Sequence, residues 1–133
     1  MTRYLLDTNI VSDLIHNPGG RAAAGVAEVG ERRVCTSIIV AAELRYGVAK
    51  KGSARLDVRV SSVLRALEVL PFGPPADAAY GRIRAQLERA GEMIGRNHLY
   101  IAAHALTLGL ALVTDNEREF SRVAGLKWEN WLR

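Results

Sequence analysis

Four side chains in this sequence are of the types that do chemistry and stand where a fold can gather them. Asp7 closes the apolar run Tyr4-Leu5-Leu6, Glu43 lies inside Val40-Ala41-Ala42-Glu43-Leu44, His98 lies in Ile94-Gly95-Arg96-Asn97-His98-Leu99, and Asp115 closes Leu110-Ala111-Leu112-Val113-Thr114. Asp7 and Asp115 each end a short strand-like run. In an open parallel sheet, ligands bind outside the carboxyl ends of the strands, so the two aspartates can converge there despite their separation in sequence. Glu43 has apolar neighbours on nearly every side. A buried carboxylate without a partner costs several kcal/mol, so a cation or a hydrogen-bond donor is expected beside it. Three carboxylates drawn together repel unless a divalent ion neutralises them, and Mg²⁺ or Mn²⁺ takes oxygen ligands while leaving positions for water and phosphate. Such a centre suits phosphodiester hydrolysis by a metal-activated water, without a nucleophilic triad. Simpler roles stand beside this one: Asp7 as a helix cap and Asp115 as the first residue of a turn. Thr8, Asn9, Thr114 and Asn116 flank the aspartates and can orient a carboxylate or a metal-bound water.

The elements that must position these residues alternate between strand and helix. Leu5-Leu6 is a short strand, and Asn9 can cap a helix carrying Ile10, Val11, Leu14 and Ile15 that stops at Asn17-Pro18-Gly19-Gly20. A short helix over 21–29 follows, then a strand around Val34-Cys35-Thr36, then Ser37 as cap of a helix over 38–49. Ser53 opens another helix, with Leu56, Val60, Val63, Leu64 and Leu67 at helical spacing. Val69-Leu70-Pro71-Phe72 reads as an edge strand, because proline cannot donate to a ladder. Helices over 75–90 and from an Asn97 cap to Gly109, a strand over 110–114, a short helix over 117–123 and a last edge strand over 127–131 complete the chain. Strands separated by helical crossovers predict a three-layer α/β/α sandwich with a largely parallel central sheet. With 133 residues, no repeats and no linker, residues 1–133 form one domain.

Composition narrows the classes. The hydrophobic share of 49% is that of a globular protein, and the longest apolar stretch, Leu99 to Leu112, is broken by His104, Thr107 and Gly109, so no membrane span is expected. Met1-Thr2-Arg3 leads straight into a strand with no signal-peptide pattern, which points to the cytoplasm. The one cysteine, Cys35, reads as a buried, inert thiol. A net charge of +4, with grouping at Lys50, Lys51, Arg55, Arg59 and Arg65 and again at Arg82, Arg84, Arg89 and Arg96, favours an anionic partner, although each group also reads as a solvated helix face. Of the histidines, His104 reads as a hydrogen-bonded packing residue and His16 as exposed.

Four segments, in order, resemble one family over almost the whole chain: Leu5-Leu6-Asp7-Thr8-Asn9; Ala42-Glu43-Leu44-Arg45-Tyr46-Gly47; Ile94-Gly95 through Ile101-Ala102-Ala103-His104-Ala105; and Leu112-Val113-Thr114-Asp115-Asn116 through Glu119-Phe120. They resemble PIN-domain ribonucleases and, more narrowly, the VapC toxins of type II toxin–antitoxin pairs. The resemblance implies a Mg²⁺- or Mn²⁺-dependent endoribonuclease that cuts structured tRNA or rRNA. It also implies a homodimer, inhibition by a VapB-type antitoxin that inserts an arginine into the acidic site, and contact with operator DNA through that antitoxin. Metal binding then falls to Asp7, Glu43, His98 and Asp115. His98 departs from the pattern, since members of the family usually have aspartate there, and imidazole prefers softer ions and brings no negative charge. The competing reading is a non-catalytic PIN-fold protein that acts by binding antitoxin and nucleic acid. A phospho-receiver domain would want an acidic neighbour beside Asp7, and an aspartyl phosphatase would want aspartate at position 9, where Asn9 stands.

Overall fold

A computed structural model describes residues 2–133. Five strands, β1 (Tyr4–Leu6), β2 (Val34–Ser37), β3 (Glu68–Leu70), β4 (Ala111–Val113) and β5 (Trp128–Glu129), form one sheet in the order β3-β2-β1-β4-β5, and every pairing is parallel. The helices that flank it are α1 (Thr8–His16), α2 (Arg21–Val29), α3 (Ile38–Lys51), α4 (Ala54–Ala66), α5 (Ala76–Ala90), α6 (Arg96–Leu108) and the short α7 (Glu117–Phe120). The architecture is the expected α/β/α sandwich, here with a wholly parallel sheet.

The central strands read as continuous apolar runs because both faces are covered. Leu5, Leu6, Cys35, Leu112 and Val113 are fully buried, with Ile10, Val11, Leu99 and Ile101 packed against them from α1 and α6. Chain order runs outward from β1 to β3 on one side and then returns to β4 on the other, so the topological switch point falls between β1 and β4. Leu6 is in register with Val113, and the next amide, Asp7 N–H, donates to the Val113 carbonyl at 2.9 Å. The two strands therefore end level, and the residues that follow them start side by side.

Two expected helix caps differ from the structure. Asp7, rather than Asn9, is the N-cap of α1, with its side chain accepting from Thr8 N. Gly95, rather than Asn97, precedes α6, and no side chain of its own caps it. Asn9 instead reaches across to accept from the Asp115 amide at 3.3 Å. Ser37 and Ser53 cap α3 and α4 as expected. The edge strand after α4 begins one residue early, at Glu68, and stops before Pro71. Helix α7 ends at Phe120, three residues short of the expected 123. Among the described residues, no helix is long and apolar enough to cross a membrane.

Candidate active site at the β1–β4 switch point

Asp7 is the hub of the polar residues at the carboxyl end of the sheet. It is 2% exposed, and each carboxylate oxygen takes one hydrogen bond: Oδ1 from Thr8 N at 2.8 Å and Oδ2 from the Thr114 hydroxyl at 2.7 Å. Burial disfavours the charged form and raises the Asp7 pKa. The Thr114 and Thr8 hydrogen bonds and the proximity of His98 offset part of that rise, whereas the charge of Glu43 adds to it. Thr114 is itself fully buried, and its hydroxyl oxygen accepts from Asn116 N at 3.0 Å while the proton is given to Asp7. A single threonine thus ties the turn after β4 to the carboxylate after β1.

Glu43 enters from α3, whose start is fixed by Ser37: the Ser37 hydroxyl accepts from Ile39 N at 3.0 Å and pairs with His104 Nδ1 at 2.8 Å. His104 is the buried packing residue the sequence suggests, its pKa lowered by desolvation, partly offset by the Pro71 carbonyl. About one and a half turns along α3, Glu43 is half-buried, and its Oε1 accepts from the Thr8 hydroxyl at 2.7 Å. The donor expected beside this carboxylate is therefore Thr8, which also caps onto Asp7 through its backbone.

His98 lies in the first turn of α6 with its ring packed on Phe120, centroids 5.0 Å apart. Its Nδ1 is 3.1 Å from Glu119 Oε1, the same oxygen that accepts from Gly95 N at 2.7 Å, while Glu119 Oε2 accepts from Asn116 Nδ2 at 3.1 Å. Because the carboxylate is acceptor-only, the Nδ1 proton points to Glu119, and Nε2 has no protein partner among the described residues. A carboxylate that fixes the tautomer and leaves the second ring nitrogen open is the usual arrangement behind a metal-binding histidine. Desolvation would raise the Glu119 pKa. The hydrogen bonds from Gly95, Asn116 and His98, together with the charge on His98, outweigh it and hold Glu119 down at about 2. Its position at the start of α6 is also the one the helix dipole favours for an anion.

Glu119 is the residue that the separate motifs underrated. It lies inside the Asp115-to-Phe120 segment, where three acids alternate with other residues and no local signal singles it out. Asp115 itself is exposed, and its Oδ1 accepts from Asn130 Nδ2 at 2.9 Å. The structure thus brings Asp7, Thr8, Glu43, Thr114, Asn116, His98 and Glu119 into one connected network, with Asn9 and Asp115 on its rim. Among the described residues, no three acidic, histidine or cysteine side chains are already drawn up as a closed ligand set. The donor chemistry nevertheless fits a hard or borderline divalent cation: a desolvated carboxylate at Asp7, carboxylates at Glu43 and Glu119, and an open imidazole nitrogen at His98.

The parallel sheet in this order carries acidic residues at its β1–β4 switch point, and the PIN domain family model matches residues 4–126, which places the chain in the PIN-domain class. The chain belongs to the VapC family of PIN-domain ribonucleases, the toxins of type II toxin–antitoxin systems. It is 38% identical over 135 residues to Ribonuclease VapC2 of Haemophilus influenzae, covering 99% of this chain and 100% of that protein. It is 36% identical to the tRNA(fMet)-specific endonuclease VapC of Shigella flexneri, covering 98% and 99% of the two chains. Among solved structures, VapBC2 of Rickettsia felis bound to a DNA fragment from its promoter superposes with a TM-score of 0.89 at 34% identity, covering 98% of this chain and 99% of that one.

Proposed function

We propose that this protein is the toxin of a VapB–VapC pair and a divalent-metal-dependent endoribonuclease that hydrolyses a phosphodiester in structured RNA, with tRNA the first candidate. The observation that carries the reading is the hydrogen-bonded convergence of Asp7, Glu43, His98 and Glu119 at the switch point of the sheet. Asp7, Glu43 and His98 Nε2 are the groups that would hold Mg²⁺ or Mn²⁺, with Asp115 available from the rim. A bound ion would supply a water of lowered pKa and offset charge on the scissile phosphate. Thr8 and Thr114 keep the Glu43 and Asp7 oxygens oriented, and Glu119 keeps the imidazole proton on Nδ1. Of the two ions, Mn²⁺ accepts an imidazole ligand more readily.

The relative named as a tRNA(fMet)-specific endonuclease supports tRNA as substrate, and the net charge of +4 supports a polyanionic one. The VapBC complexes with DNA among the structural relatives support a VapB-type antitoxin as partner and operator DNA as a target of the pair, and the reading takes a homodimer as the assembling unit. A cavity of about 320 Å³ between α1, α2 and α4, lined by Leu14, Val26, Val63 and Leu67, offers an apolar seat for an antitoxin segment. The substitution of histidine at position 98 favours one alternative, a PIN-fold protein that keeps its partners without cutting.

Cleavage of a tRNA and rRNA panel by this chain and by His98→Asp, each with Mg²⁺, Mn²⁺ or EDTA, tests the reading. Metal-dependent cutting by both supports it, cutting by His98→Asp alone makes this chain a disabled ribonuclease, and silence from both leaves the binding reading.

A further inference from the structure

Three acidic residues, Asp115, Glu117 and Glu119, lie within a five-residue span after β4, yet only Glu119 faces His98. The other two are held by one side chain. Asn130 Nδ2 donates to Asp115 Oδ1 at 2.9 Å and to Glu117 Oε2 at 2.7 Å, while its Oδ1 accepts from Leu132 N at 2.9 Å. Both amide hydrogens and the carbonyl are therefore engaged, and Asn130 sits as a neutral donor between two carboxylates that would otherwise repel. Arg133 adds a second clasp, with Nε 3.2 Å from the same Glu117 oxygen.

The segment that carries Asn130 is anchored at a distance from the site. Trp131 lies over Gly25 of α2 so closely that a Cβ at that position would come within 2.4 Å of the indole. The indole also packs on Tyr4 at a centroid separation of 5.5 Å, and Arg21 donates to the Leu132 carbonyl at 2.9 Å. Residues 130–133 thus form a strap from α2 to the turn after β4. That turn delivers Thr114 to Asp7 and Glu119 to Gly95 N and His98.

We propose that Asn130 is a positioning residue for the metal-dependent centre: by taking Asp115 and Glu117 onto its amide, it leaves Glu119 as the carboxylate that orients His98. The metal part of this statement rests on the function proposed above, whereas the placement of the turn does not. Two amides report that placement directly. Gly95 N–H donates to Glu119, and Asn116 N–H donates to Thr114.

The experiment compares the full chain with Asn130→Ala and Asn130→Asp by amide hydrogen exchange at Gly95 and Asn116 and by Mn²⁺ binding read from the free-ion EPR signal. The aspartate variant keeps the side-chain shape but removes both donors and adds a third negative charge. Loss of an outer partner typically weakens metal affinity about tenfold or more, so a Mn²⁺ dissociation constant raised by roughly that factor is expected in both variants. Faster exchange at both amides is expected alongside it, with Asn130→Asp at least as affected as Asn130→Ala. Exchange at wild-type rates in both variants overturns the proposal. So does an Asn130→Asp that behaves as wild type, since shape alone would then suffice. If the parent chain binds no Mn²⁺, the metal reading falls, and amide exchange still decides whether Asn130 sets the turn. Gly25→Ala, which pushes on Trp131 without touching the site, is expected to speed exchange at Asn116 in the same direction.

Discussion

Replacing Glu119 by glutamine is the most informative single change. In the folded protein this carboxyl titrates at about 2 against an ordinary 4.5, a fall that at ~1.36 kcal/mol per pH unit corresponds to about 3.4 kcal/mol. The side chain is 29% exposed, so solvent screening reduces this, and about 1–2 kcal/mol is expected at pH 7. The sign follows from linkage. A depressed carboxyl pKa stabilises the fold fully above the unfolded value, and that contribution is lost as pH falls from about 4.5 towards 2. Glutamine keeps one acceptor for Gly95 N but turns a donor towards Asn116 or His98, so Glu119→Gln loses the charge-assisted bonds at every pH. Urea denaturation of both proteins at pH 7, 5, 4 and 3 measures the difference. The gap is expected to be largest at pH 7 and to shrink by more than half by pH 3. A gap under about 0.5 kcal/mol at pH 7, within the range of ordinary surface substitutions, would refute the reasoning. A gap that does not change with pH would refute it equally.

Asp7→Ala is expected to abolish RNA cleavage with little net change in denaturation midpoint, because loss of an N-cap costs about 1 kcal/mol while a desolvated carboxylate is removed; retained cleavage would sink the assignment. Thr114→Val removes the hydroxyl that lowers the Asp7 pKa, so the acidic limb of the pH–rate profile is expected to move to higher pH. The same variant leaves the Asn116 amide without its acceptor, for a stability loss of about 1–3 kcal/mol by thermal or urea unfolding. His98→Asp is expected to lower the preference for Mn²⁺ over Mg²⁺, measured as the ratio of half-saturating concentrations in cleavage or binding, since an oxygen ligand replaces a nitrogen one.

Much of the scaffold was legible because its signals are local. The central strands are short apolar runs that end at polar residues, Ser37 and Ser53 cap the helices that follow them, and Gly109 closes α6 in the left-handed conformation, whereas α3 runs two residues past the expected 49 to Lys51 before Gly52 closes it. The caps that were misplaced were decided from outside the local sequence. Asn9 is a competent cap in isolation, but Asp7 already holds the first amide of α1, and Asn9 is taken by Asp115 from beyond β4. Asn97 is likewise passed over, because Glu119 reaches Gly95 from 24 positions away.

By itself the sequence determined which side chains stand as candidates for the chemistry, Glu119 apart, and that a parallel α/β scaffold would hold them. Residue type and strand or helix periodicity are properties of neighbours along the chain, and they also specified a buried thiol at Cys35, whose burial pushes its pKa to about 11. Only the tertiary structure decided which acid faces which partner. Asp115, Glu117 and Glu119 are chemically alike and closely spaced, so nothing local ranks them. The ranking comes from Asn130, Gly95 and His98, groups that share no local pattern with these acids and meet them only because β4 and β5 end, and α6 begins, at the same edge of the sheet.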